Sequence, residues 1–182
     1  GVQTCALPIC VADAYSRVNN GNKIGVCTFS GGINAAGEQV AYSGIAQAYE
    51  DGSPVLCIVD AVPAGSSQNT RFDQDASLRG VSKWYGYIDK PERTPEFLRR
   101  AFTMLRSGRP GPVVLGIPNA AATYDETADP YRSPKGWKSL PDPEDIQIAV
   151  DELNAAKSPI LFVGEGVLYS NATDELKAFA EK

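Results

Sequence analysis

Residues 38–59 read EQVAYSGIAQAYEDGSPVLCIV. The first part, Glu38 to Glu50, carries Ala41, Gly44, Ile45 and Ala48 on one stripe, the spacing of a helix with one apolar face. The stripe is built of small residues, so a neighbouring element can approach closely. Asp51 to Pro54 is a turn. Val55 to Val59 is then an almost unbroken apolar run. Such a run suits a parallel strand covered on both faces better than a half-exposed one. The unit repeats outward from here. Ile24 to Phe29 is a short apolar run before Ser30-Gly31-Gly32. Trp84 to Ile88 is a further strand candidate. Thr94 is read as the cap of a helix with Pro95 at its first position and Phe97, Leu98, Ala101, Phe102 and Leu105 inward. Gly108 ends it, and Val113 to Ile117 follows as another strand. Alternation of strands and helices predicts an α/β layered fold with a parallel sheet.

Val11 to Val18 reads as the last turns of a helix closed by Asn20-Gly21. Upstream, Gly1 to Ile9 reads GVQTCALPI. Pro8 is expected to break the helix that follows. The nine residues also match the translation of a widely used sequencing adapter, with part of the Cys10 codon. Residues 1–10 are therefore set aside as adapter sequence. At the other end, residues 118–141 are rich in Pro, Asp, Ser and Lys and read as a connection, with the linker proper at 129–141. Asp142 then caps a helix starting at Pro143, with Ile146, Val150 and Leu153 expected inward. Ile160 to Val163 is expected as a strand before Gly164-Glu165-Gly166, and Asn171 as the cap of a final helix.

The chain has 182 residues, 43% hydrophobic and 21% charged, and a formal net charge of -5. That is enough to bury a core. The charge argues against nucleic acid as a partner. No apolar run reaches membrane-spanning length, and the N-terminus lacks the pattern of a secretory signal, so a cytoplasmic location is expected. There is no histidine. That excludes Ser-His-Asp and Cys-His catalysis within these residues. The 4 cysteines form no Cys-x-x-Cys pair. Cys27 and Cys57 lie in apolar runs and read as small core residues rather than metal ligands.

Few residues carry chemistry by spacing alone. Ser30-Gly31-Gly32 and Ala35-Ala36-Gly37 lie between a strand and a helix, where ligands of open α/β sheets bind, or simply make a turn. Gly164-Glu165-Gly166 is a lone G-x-G: a tight turn or, less specifically, a nucleotide-binding turn. Asp73 and Asp75 flank Gln74 and read as a solvated run, with a cation site as the alternative. Glu38 reads as a helix-end charge that complements the dipole. Trp84, Tyr85 and Tyr87 read as packing residues.

Several segments in order carry a resemblance. They are Ala12-Asp13-Ala14-Tyr15-Ser16-Arg17, Gly44-Ile45-Ala46-Gln47-Ala48-Tyr49 with Asp51 and Pro54, and Ser107-Gly108-Arg109-Pro110-Gly111-Pro112-Val113 running into Ile117-Pro118. Together they resemble the N-terminal pyrimidine-binding domain of thiamine-diphosphate-dependent enzymes of the acetolactate-synthase-like group. Ser158-Pro159-Ile160 through Val167 resembles the start of that family's Rossmann-like central domain. The resemblance implies a pyrimidine-binding domain at 11–128 and a central-domain start at 142–182, a fragment of a longer enzyme and inactive alone. It implies a lyase or transferase that decarboxylates and ligates 2-oxo acids, as a homodimer or homotetramer. Thiamine diphosphate and Mg2+ are the implied cofactors. A flavin is carried by some members, and Gly164 to Val167 does not require one.

The family's glutamate toward the aminopyrimidine would fall at Cys5, inside the tract set aside, so no catalytic residue is assigned. The cofactor-facing loop maps onto Ala35, Ala36, Gly37 and Gln39, and the substrate-facing loop onto Phe72, Asp73 and Gln74. Both depart from acetolactate synthase, which often has Gly-Pro-Gly then Asn, and has Phe-Gln-Glu, at these places. Two rivals are a nucleotide-binding or regulatory α/β module, and a pyrimidine-domain subunit of a two-subunit decarboxylase.

Overall fold

The computed structural model describes residues 3–31, 36–63, 72–118 and 123–182. Four strands form a parallel sheet in the order β1-β2-β4-β3: β1 Gly25–Phe29, β2 Val55–Asp60, β3 Trp84–Tyr87 and β4 Val113–Ile117. Helices α1 (Gln3–Val18) and α2 (Ala36–Glu50) precede β1 and β2. Helix α3 (Gln74–Arg79) precedes β3, and α4 (Thr94–Arg106) precedes β4. Cys27 pairs with Cys57, Leu56 with Val113 and Tyr85 with Val114 in the ladder.

The alternation of β2 sorts its side chains into two cores, as a strand buried on both sides requires. Val55, Cys57 and Val59 join Ile9, Ala12, Ala41, Ile45 and Ala48 from α1 and α2, with Leu78, Val81 and Tyr85. Leu56 faces the other way, toward Ala101 and Leu105 of α4, with Val113, Leu115 and Ile88. The chain moves from β1 to β2 and past β4 to β3, then back to β4. A right-handed crossover that reverses direction must lie on the opposite face. That is why α4 covers the face that α1 and α2 do not.

Helices α1 and α2 touch at a glycine. A Cβ on Gly44 would stand 2.6 Å from Cγ2 of Ile9. A side chain there would force Ile9, which is fully buried, or the helix that carries it to shift. Helix α1 runs through Pro8, against the expected break. Proline removes one intrahelical hydrogen bond, and the burial of Ile9 and Ala12 on the same helix holds the turn in place. The helix closes as expected: Asn20 and Gly21 both take positive φ, and the Gly21 N–H bonds the carbonyl of Ser16. Thr94 does not cap α4. A 3-10 turn at Pro91–Arg93 leads directly into the helix, so the chain is already helical where an extended cap residue was expected.

Residues 138–182 form a second unit. Asp142 caps α5 (Pro143–Ala155), its carboxylate accepting from the Glu144 N–H, with Pro143 at the first position. Ile146, Val150 and Leu153, expected inward, are 49%, 41% and 38% exposed. Residues 160–163 are not a strand, and Phe162 is fully exposed. A strand needs a paired neighbour for its backbone groups, and the described residues of this unit supply none. Gly164 and Glu165 instead lead into the short α6 (Gly166–Tyr169). Asn171 takes a left-handed φ of 53° before α7 (Thr173–Ala180) rather than capping it.

One buried hydroxyl ties three elements of the first unit together. Ser16 Oγ donates to the Pro54 carbonyl at 2.6 Å and accepts from the Gly25 N–H at 2.8 Å, with no exposure to solvent. Beside it, Arg17 bridges Asp13 at 2.9 Å and Asp51 at 2.6 Å. Ser16→Ala would leave a buried donor and a buried acceptor unpaired. The expected loss is about 2–4 kcal/mol of unfolding free energy, read from urea denaturation with an unchanged m-value.

Candidate functional site

In a parallel α/β sheet the loops leaving the carboxyl ends of the strands are free to hold a ligand. Here those ends are Phe29, Asp60, Tyr87 and Ile117. Two of them are joined by Asp60, whose carboxylate accepts a hydrogen bond from the Gly31 N–H. Gly31 and Gly37 both sit against backbone. A Cβ on Gly31 would lie 2.7 Å from the Asp60 carbonyl oxygen, and one on Gly37 would lie 2.3 Å from that of Ser30. The loop after β1 thus folds tightly onto the first turn of α2.

Glu38 is carried by that first turn and has no solvent exposure. Its Oε2 accepts from Gln74 Nε2 at 2.8 Å. The same amide nitrogen donates to the Asp60 carbonyl at 3.1 Å, and Gln74 Oε1 accepts from the Tyr85 hydroxyl at 2.9 Å. The Asp60 carbonyl can only accept, so it fixes which way the Gln74 amide points. Oε1 of Glu38 has no hydrogen-bond partner among the described residues. Burial pushes the Glu38 carboxyl up to about 7, opposed by the Gln74 hydrogen bond and assisted by the negative Asp60. Burial also raises Tyr85, with Asp75 and Glu38 adding to it, so this hydroxyl keeps its proton.

The predicted positions fall as follows. Ala35 lies outside the described residues. Ala36 opens α2 and is exposed, Gly37 is buried against Ser30, and Gln39 is exposed. Asp73 caps α3 by accepting from the Ala76 N–H at 3.0 Å. Asp75 pairs with Arg79 on the surface. Phe72 is half-buried. Gln74 uses its amide on Glu38, Asp60 and Tyr85. Of the two loops, then, Gly37 and Gln74 come together, through Glu38. Among the described residues no cluster of three or more metal-ligating side chains occurs. The backbone of Cys5 is in α1. Ile9 against Gly44 and Arg17 against Asp51 make α1 and α2 parallel, so Cys5 stands level with the first turn of α2.

Glu38 was missed as a site residue because a carboxylate in the first turn of a helix is expected there on dipole grounds alone. Its only signal was position: it follows the permissive Ala35-Ala36-Gly37 loop. Asp60 and Tyr85 gave none. Conversely, Arg109-Pro110-Gly111-Pro112 lies at the amino ends of the strands, away from the site. There Arg109 donates to the Glu50 carbonyl, and Lys83 closes the end of α4 by donating to the carbonyls of Met104 and Ser107.

Residues 9–80 match the family described as thiamine pyrophosphate enzyme, N-terminal TPP binding domain. The matched range holds Gly31, Gly37, Glu38, Asp60 and Gln74. A probable acetolactate synthase large subunit of Methanococcus aeolicus is 31% identical over 180 residues, covering 93% of this chain. The acetolactate synthase large subunit of Corynebacterium glutamicum is 34% identical over 178 residues, covering 93%. The chain belongs to the thiamine-diphosphate-dependent, acetolactate-synthase-like enzyme family. A glyoxylate carboligase of Escherichia coli O157:H7 is also similar, at 32% identity over 176 residues and 94% of this chain. The chain spans 29%, 28% and 29% of these three relatives. The fold agrees with a solved structure, a putative thiamin diphosphate-dependent enzyme from Mycobacterium smegmatis. Its TM-score is 0.74 at 24% identity, covering 98% of this chain and 34% of that one.

The raised Glu38 carboxyl makes stability depend on pH. Its folded-state value lies above the usual 4.5, so its contribution is fully present below about 4.5 and is lost as pH rises through about 7. At about 1.4 kcal/mol per pH unit of difference, the loss is at most roughly 3 kcal/mol. Glu38→Gln should remove most of this dependence and unfold later than the parent at pH 8. Urea midpoints measured at pH 5 and pH 8 check it; parallel curves for the two proteins would contradict it.

Proposed function

We propose that this chain is the pyrimidine-side part of a cytoplasmic thiamine-diphosphate-dependent lyase or transferase acting on 2-oxo acids. The observation that carries the reading is the Glu38–Gln74–Tyr85 cluster at the carboxyl ends of the strands, with Glu38 and Gln74 inside the matched range and one oxygen of the buried Glu38 carboxyl unpartnered among the described residues. A buried polar atom without a protein partner is costly, and a polar ligand is the natural partner for it here. Gly31 and Gly37 let the loop after β1 pack tightly against Asp60 and Ser30 beside this carboxyl. The residues present therefore fit the cofactor's aminopyrimidine.

When bound, thiamine diphosphate supplies the electron sink for decarboxylation and carbon–carbon bond formation. The chain's own part is to hold and orient the ring and to keep a protonatable carboxyl beside it. Gln74 fixes that carboxyl, and Tyr85 fixes Gln74. Magnesium would accompany the diphosphate. No Gly-Asp-Gly followed by Asn occurs in the 182 residues, so its ligands would come from elsewhere in the enzyme. A homodimer or homotetramer fits the apolar face that α1 leaves exposed, with Val11, Tyr15 and Val18 at 59%, 46% and 79%.

Titration calorimetry of the chain tests the reading. Thiamine diphosphate with Mg2+ should bind more weakly than micromolar, and ADP should not bind. ADP binding without thiamine-diphosphate binding would instead favour a nucleotide-binding module. Micromolar thiamine-diphosphate affinity would mean that the anchoring contacts lie within this chain.

A further inference from the structure

Cys27 and Cys57 are direct partners in the β1–β2 ladder, and both join the core that α1 and α2 cover. Both are free thiols, with their sulfurs 3.6 Å apart. Paired strands lie about 4.8 Å apart, and a disulfide joins Cα atoms about 4.4–6.8 Å apart. The backbone spacing is therefore already within reach of a bridge. The sulfurs have to close from 3.6 Å to about 2 Å, by side-chain torsion and a small approach of the strands. A bridge closed under that strain is more easily reduced than a relaxed one. The two thiols are not equivalent. Cys57 has no solvent exposure, whereas Cys27 keeps 5% on a strand at the edge of the described sheet. The hydrogen bond between the sulfurs draws the Cys27 thiol down against its burial. The same bond, together with burial, pushes the Cys57 thiol up. A sulfur that ionises more readily thus lies beside one that keeps its proton, the asymmetry of an attacking and a resolving cysteine.

We propose that Cys27 and Cys57 form a reversible redox switch, in which a hydroperoxide oxidises Cys27 and Cys57 then closes a disulfide that clamps β1 to β2. The Cys27 thiolate attacks the peroxide, the O–O bond breaks, and the leaving oxygen takes up a proton as water or an alcohol. The Cys57 sulfur then attacks the sulfenic sulfur of Cys27. The S–O bond breaks, and the oxygen leaves as water with the Cys57 proton. Two thiols are oxidised and one peroxide is reduced. A dithiol reverses the bridge by thiol–disulfide exchange. Among the described strands β1 is bonded to β2 alone, so local opening of this edge admits the peroxide. The closed bridge removes that freedom. Just beyond the cysteines the Asp60 carboxylate holds the Gly31 N–H, so the clamp also steadies the loop that leads to Gly37 and Glu38. The switch does not depend on what the site binds.

The test treats the 182-residue chain with hydrogen peroxide under native conditions and maps its peptides by mass spectrometry without reductant. A linked pair of peptides holding Cys27 and Cys57 should appear, with the intact chain lighter by about 2 Da, the two thiol hydrogens. Dithiothreitol should restore the parent mass. In the oxidised form, amide exchange over Gly25 to Phe29 should slow about tenfold or more, and the thermal midpoint should rise by about 5 °C. A Cys5→Ser, Cys10→Ser double variant should bridge like the parent. Cys57→Ser should stop at a sulfenic acid on Cys27, trapped by dimedone, and Cys27→Ser should leave Cys57 unmodified. Should either core variant fail to fold, the peptide map and the amide exchange of the parent decide. No linked pair under native conditions, a bridge that forms only in urea, or overoxidation of Cys27 without a bridge overturns the switch. A bridge that leaves exchange over β1 unchanged overturns the clamp.

Discussion

A parallel sheet has no hairpins, so each strand must be reached by a crossover, and each crossover must cover a face of the sheet. Everything in the first unit follows from meeting that constraint with four strands. Strand β2 is buried on both sides, with Val55, Cys57 and Val59 facing α1 and α2, and Leu56 facing α4. Two-sided burial leaves only the strand ends open to polar groups. The amino ends are closed by backbone ties from Lys83 and Arg109 and by the Ser16 hydroxyl. The carboxyl ends remain, and there the buried Glu38 and the half-buried Gln74 meet.

The two ends of the sheet use polar groups for opposite purposes. Ser16 has both its donor and its acceptor satisfied by backbone, and Arg17 lies between two carboxylates. Such groups specify the docking of α1 on β1 and β2. Among the described residues Glu38 is only half satisfied. A half-satisfied buried carboxyl weakens a fold, and incomplete local satisfaction is common where a site awaits a ligand. The cost of Glu38 and its proposed role therefore have the same origin.

The cysteines and tyrosines show how one residue type divides between these purposes. Cys27 and Cys57 pair in register across β1 and β2 with their sulfurs 3.6 Å apart, as core residues. Tyr85 and Tyr87 leave the same strand on the same side. Yet Tyr85 holds Gln74, while Tyr87 donates to the Val62 carbonyl at 3.1 Å. Only the register of β3 on β4 separates the two roles.

What the sequence by itself determined is whatever depends on local periodicity. The apolar runs at 24–29, 55–59 and 113–117, the small-residue stripe of α2 and the Asn20-Gly21 stop all carry their meaning within a few residues. So do the family segments, most of which are structural: Arg109-Pro110-Gly111-Pro112 marks a turn at the end remote from the site. The sequence misled where a local rule met a tertiary one. Pro8 lies inside a helix because packing outweighs one lost hydrogen bond. Ile160 to Val163 has the composition of a strand but no neighbour to pair with among the described residues. Gln74 and Gly37 were marked by the family resemblance, but tertiary structure decided the rest of the candidate site. Glu38, Asp60, Gln74 and Tyr85 come from four separate elements, and no spacing links them. They meet because strand order brings those elements to one end of the sheet, and burial there changes Glu38 from a helix-end charge into a carboxyl that titrates near neutrality.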